Sequence, residues 1–161
     1  MGDAKTNEEN FIRLCKDETE RFHYNPFETE LKPKEITAYR DTQIALIKFP
    51  SALKLLNDAI AKIDNDALVR NCLDDLRLCL ELFLKEKMKN LKTLENQKPI
   101  LGKYIKEKGG SNEIVGLFQR ILEFYANYQN SNIKHHDKAK PQELKLIFNI
   151  TSSLIIHLSE L

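Results

Sequence analysis

Val69-Arg-Asn-Cys-Leu-Asp-Asp-Leu-Arg-Leu-Cys-Leu-Glu-Leu-Phe83 is the stretch on which the fold turns. Val69, Cys72, Leu76, Cys79, Leu80 and Phe83 recur three and four residues apart, the spacing that puts side chains on one face of an α-helix. The opposite face carries Arg70, Asp74, Arg77 and Glu81 in pairs of opposite charge at helical neighbour spacings. Each such pair contributes only about 0.2–0.5 kcal/mol on a solvated surface. The pattern predicts the longest helix of the chain, from about Asp66 to Leu91, with Asp64-Asn-Asp66 as a turn that caps it.

The same period continues on both sides. Upstream, Phe11, Leu14, Cys15 and Phe22 predict a helix over Glu8–Phe22, ended by Asn25-Pro26. Pro33 opens a segment with Ile36, Tyr39, Ile44 and Ile47 loosely in phase, and Pro50 opens one with Leu53, Leu56, Ile60 and Ile63. Downstream, Pro99 starts a short helix with Ile100, Leu101, Tyr104 and Ile105, closed by Gly109-Gly110 as a left-handed cap. Ser111 caps the next helix, whose stripe reads Ile114, Leu117, Phe118, Ile121, Tyr125 and Tyr128. Pro141 begins the last, lined by Leu144, Ile147, Phe148, Thr151, Leu154, Ile155 and Leu158. No strand pattern competes, and the expectation is an all-α bundle of about six or seven helices.

At 161 residues with 42% hydrophobic and 30% charged residues, the chain is of single-domain size and ordinary globular composition. Cys15, Cys72 and Cys79 lack metal-ligand spacing and read as buried thiols of a reducing compartment. The acidic start and the interrupted apolar tail predict neither a leader nor a membrane span, hence a cytoplasmic protein with no membrane partner. Net charge is +1, yet residues 85–108 hold eight Lys against three Glu. Such a band can attract nucleic-acid phosphates, or it can simply be the solvated ends of two helices.

Recognisable catalytic motifs are missing: there is no glycine-rich phosphate loop, zinc quartet or nucleophile elbow. Chemistry concentrates instead in Tyr128-Gln-Asn-Ser-Asn-Ile-Lys-His-His-Asp137, between the last two helices. A histidine titrates near neutrality and can exchange a proton with a ribose hydroxyl or a leaving oxygen. Lys134 can stabilise charge developing on a phosphate, while Asn130 and Asn132 can orient loop or substrate. With the substrate's own 2′-hydroxyl as nucleophile, such a set needs no metal or other cofactor. His135 and His136 diverge by about 100° on a helix, so they cannot jointly hold one ion. The same residues can equally cap helix ends. His23 and His157 are isolated and read as structural.

Four segments in order carry a resemblance: Cys72–Glu86, Leu101–Lys108, Phe124-Tyr-Ala-Asn-Tyr-Gln-Asn130 and Ile133-Lys-His-His136. Together with the terminal helix, they resemble the HEPN-type helical domains of prokaryotic abortive-infection and toxin-type proteins. The resemblance covers about residues 50–161, with residues 1–49 as an N-terminal helical extension of unknown role. It implies a dimeric bundle acting in anti-phage or toxin biology, with an antitoxin or defence-system protein as a further partner. Many members of that family are metal-independent endoribonucleases, and others are non-catalytic RNA- or protein-binding modules. The family motif, arginine, a polar residue, several more and then histidine, aligns its histidine with His135. Asn130 stands at the arginine position, and Arg120 lies fifteen residues upstream of His135. The resemblance therefore casts His135 as acid/base, Lys134 as phosphate stabiliser and Asn130 as positioning group, with Lys134, Asn132 and His136 contacting RNA.

Overall fold

A computed structural model describes residues 33–63, 65–128 and 141–161. The chain divides into two units, Met1–Ile36 and Thr37–Leu161. The helix expected over Glu8–Phe22 lies outside the described residues.

Among those residues the structure is all-α: α1 (Pro33–Leu46), α2 (Pro50–Ile60), α3 (Val69–Lys87), α4 (Lys98–Glu107), α5 (Asn112–Tyr128) and α6 (Pro141–Glu160). Single 3₁₀ turns at Asp66–Leu68 and Leu94–Asn96 precede α3 and α4. The all-α bundle expected from the hydrophobic period is thus observed. None of the described helices is long and apolar enough to cross a membrane.

Helix α3 is the spine of the second unit, with α2 and α6 both packed along it. All six residues of its expected apolar face are buried, as are Leu73 and Leu84. The Phe49 ring meets Phe83 edge-on at 5.0 Å, which anchors the α1–α2 corner to the spine. The seven expected core residues of α6 are likewise all buried. One boundary and one length differ from the sequence reading. Helix α3 stops at Lys87 rather than near Leu91, because Lys89 turns left-handed at φ 51°. There Asn90 N–H donates to Lys85 O and Lys89 N–H to Glu86 O, the paired bonds that close a helix. At 20 residues, α6 is also longer than α3, which has 19.

Caps behave as the residues suggest. The Asn65 side chain accepts from Ala67 N–H at 3.0 Å, and Ser111 Oγ accepts from Ile114 N–H at 3.3 Å. Gly109, at φ 86°, closes α4 with the same pair of bonds: Gly110 N–H to Ile105 O and Gly109 N–H to Lys106 O.

Two stripes are rotated from their expected faces. In α1 and the turn after it, Ile44 and Ile47 are 59% and 66% exposed, while Thr42 and Leu46 are fully buried. Burial of Thr42 is tolerated because its hydroxyl donates to Ala38 O at 2.7 Å. Tyr39 and Gln43 turn toward α2 and both donate to Asn57 Oδ1. In α5, the buried set is Val115, Phe118, Leu122 and Tyr125. Ile114 and Leu117, expected in the core, are exposed. The cause is neighbour geometry: Val115 packs toward Gly102 of α4, and Tyr125 packs toward α6.

Candidate functional site

Helices α5 and α6 flank the segment singled out by its imidazoles and amide side chains. Asn130, Asn132, Lys134, His135 and His136 all lie outside the described residues. The structure therefore describes the two helices that carry them. Tyr128 Oη donates to Glu143 Oε2 at 2.7 Å, tying the last residue of α5 to the first turn of α6. One turn back, the buried Tyr125 hydroxyl bonds Thr151 Oγ1 and donates to Ile147 O. At the far end, the Phe118 and His157 rings are 5.4 Å apart. These three contacts run in opposite directions along the two chains, so α5 and α6 are antiparallel. Burial drives the Tyr125 phenol well above its ordinary pKa, leaving it a neutral donor.

The lysine-rich band resolves into three kinds of cation. Lys85 donates to Glu81 at 2.7 Å, and Lys98 lies 3.8 Å from Glu123. Lys87 and Lys108 stand 5.9 and 5.8 Å from the centre of the Tyr104 ring. Lys87 also donates to Ser159 O, near the negative end of α6. Lys103 has a loose, exposed pair with Glu107, and Lys89, Lys92 and Lys106 are exposed with no partner among the described residues. About half of the band is therefore structural glue, and half is free to meet phosphate.

The charge pattern puts Glu81 on the solvated face of α3, and the structure corrects this: it is only 7% exposed. Its Oε2 accepts from Arg77 Nη1 at 3.0 Å and from Leu94 N–H at 3.1 Å, and its Oε1 accepts from Lys85. Burial opposes ionisation here. The Lys85 and Leu94 hydrogen bonds, with the Lys85 and Arg77 charges, outweigh it and hold the carboxyl below its ordinary value. Beside it, the buried Gln97 amide exchanges hydrogen bonds with Asn90 and donates to Lys92 O. This network pins the loop between α3 and α4. The sequence signal was an acid with cations four residues before and after it, inside the apolar run Leu80-Glu-Leu-Phe83.

Other candidate groups are chemically quiet. Cys72 and Cys79 are buried thiols, pushed up to about 12 chiefly by burial, so they are protonated at neutral pH and poor nucleophiles. Cys72 Sγ donates to Ala59 O at 3.1 Å. Among the described residues, no three His, Cys, Asp or Glu side chains converge to hold a metal ion. His157, read from sequence as structural, is exposed and lines a shallow groove between α5 and α6. Arg120 is exposed at the rim of an open hollow of about 530 Å³, near Lys98, Gln119 and Glu123. It precedes Tyr128 by eight residues, about 12 Å along the helix. No family model, curated protein or solved structure matches the chain.

Proposed function

We propose that this chain is a HEPN-like helical-bundle protein of bacterial anti-phage or toxin-type biology that engages RNA through the segment joining α5 to α6. One observation carries the reading. The Tyr128–Glu143 bond holds together the two helix ends from which residues 129–140 depart and return. The chain that bears Lys134, His135 and His136 therefore leaves α5 and enters α6 at the same end of the helix pair. Lysines 89, 92 and 106, exposed and without a partner among the described residues, add a sequence-independent attraction for phosphates.

In this mechanism the imidazole of His135 takes the proton of a ribose 2′-hydroxyl. The 2′-oxygen attacks the adjacent phosphorus to form a 2′,3′-cyclic phosphate, and the 5′-oxygen leaves as a hydroxyl, taking the proton back from the imidazolium. Lys134 steadies the charge on the non-bridging oxygens, and Asn130 orients the substrate. Incubation with total RNA in EDTA tests the reading: cleavage products are expected, and intact RNA removes the nuclease.

Asn130 at the arginine position favours a second reading, a non-catalytic module that binds RNA or a partner protein. Lysine and asparagine together lack the bidentate fork with which arginine grips a phosphate. This module would bind RNA in a strongly salt-dependent way without cutting it, or would retain a stable protein partner in a pull-down.

A further inference from the structure

Two glycines sit along the contact between α4 and α5, and only one has a packing reason. A Cβ on Gly102 would stand 2.7 Å from Gln119 Nε2, which donates to Lys98 O at 3.1 Å. Gly102 thus lets the Gln119 amide lock α5 onto the first residue of α4. Gly116 is different. It lies inside α5, where glycine weakens a helix relative to alanine, and an added Cβ would meet nothing within 4 Å. Its bare backbone opens instead onto the hollow of about 530 Å³ that it lines with Lys98 and Pro99 of α4 and with Gln119, Arg120 and Glu123 of α5. Backbone left bare beside open space suits the close approach of a ligand.

The charges around the hollow say what kind of ligand. Glu123 lies 3.8 Å from Lys98 on one side, and Arg120, three residues before it on α5, is its helical neighbour on the other. The order is cation, carboxylate, cation. Arg120 has no partner among the described residues, so its guanidinium fork is open to a carboxylate. The Lys98 and Glu123 side chains are 37% and 58% exposed, and so open a pair is weak and exchanges readily. The complement is a molecule with an ammonium between two carboxylates. An acidic amino acid has that order, and its methylenes can rest on Pro99 and on the bare backbone of Gly116.

We propose that the hollow between α4 and α5 is a binding site for a small dicarboxylic zwitterion such as an acidic amino acid, its carboxylates on Arg120 and Lys98 and its ammonium on Glu123. The hollow's size lies within the range of small-ligand sites, and its openness to solvent makes binding weak. The site is built from α4 and α5 alone, so it stands whether or not His135 acts on RNA.

Titration of the full chain with L-glutamate, without RNA and at fixed low ionic strength, tests the site by NMR. The reporters are the Gly116 backbone amide and the Gln119 side-chain amide. Wild type should half-saturate at about 1–10 mM. Glutarate, which lacks the ammonium, and L-glutamine, which lacks one carboxylate, should each bind about threefold to fivefold more weakly, the effect of one partly screened ion pair. Arg120→Ala should weaken L-glutamate binding about tenfold. Glu123→Gln should invert the preference, so that glutarate binds better than L-glutamate, a change that a merely structural role for Glu123 does not produce. Gly116→Leu should abolish binding, read at Gln119, while melting no lower than wild type, because leucine is the better helix former and an added Cβ meets no neighbour. Shifts that do not saturate by about 50 mM, or that sodium chloride reproduces at equal ionic strength, overturn the proposal. So does wild type that binds glutarate as well as L-glutamate, or a preference unchanged in Glu123→Gln.

Discussion

Helices α3 and α5 are close in length, 19 and 17 residues, and both are amphipathic by sequence, yet they do different work. Helix α3 buries nine residues and has neighbours on several sides, including a carboxylate network at Glu81. Helix α5 buries four and keeps a second apolar row facing outward. The difference teaches that apolar content alone does not mark a core helix. What counts is how many neighbours converge on it. A spine packed along most of its length supports the fold, while a helix that buries four residues leaves an apolar row uncovered by the described residues.

The contrast can be broken by substitution. Phe83→Ala in α3 removes a fully buried ring that packs against Phe49 and should cost about 3–5 kcal/mol in urea unfolding. The matched change on α5, Leu117→Ala, should cost less than about 0.5 kcal/mol in the monomer, since the side chain is half exposed. Similar losses at both positions would erase the distinction.

Glu81→Gln should rank next, at about 2 kcal/mol, because it removes the charge that Arg77 and Lys85 share inside the unit. Its pH dependence follows from the depressed pKa. Stabilisation from Glu81 is fully present above its ordinary value of 4.5 and is lost as pH falls through the lower folded value. The stability gap between wild type and Glu81→Gln should therefore be widest near pH 7 and should close on acidification below about pH 4.5. A gap that widens in acid would contradict the network.

The smallest effects sharpen the comparison at the helix ends. Lys89 occupies, at φ 51°, the left-handed position that Gly109 occupies after α4 at φ 86°. Lys89→Gly should raise stability by about 1 kcal/mol, and Gly109→Ala should lower it by a similar amount. Thermal unfolding reads both signs. The same sign for the two changes would refute the shared cap geometry.

How much the sequence disclosed also divides between these helices. Val69 to Phe83 and Leu144 to Leu158 each offered one apolar stripe, and burial followed it residue by residue. Helix α5 offered two overlapping stripes sharing Phe118 and Tyr125. Only the placement of α4 and α6 chose Val115 and Leu122 over Ile114 and Leu117. In α1 the visible isoleucines misled, because Thr42 satisfied its own hydroxyl and could go inside. Glu81 was hidden for a related reason: spacing shows an ion pair but not the backbone N–H of Leu94 arriving from the next loop. The candidate site was legible as chemistry, through adjacent imidazoles and an ammonium. Those residues lie outside the described ones, and what the structure adds is the bond from Tyr128 to Glu143 between the flanking helix ends.

The central proposal is that the segment joining α5 to α6 acts on RNA through His135, and the most direct measurement is RNA cleavage in EDTA by wild type and by His135→Ala. The account predicts that the variant retains its helical circular dichroism and loses at least about a hundredfold in cleavage rate, the contribution typical of a positioned acid/base. Cleavage at the wild-type rate by the folded variant would contradict it.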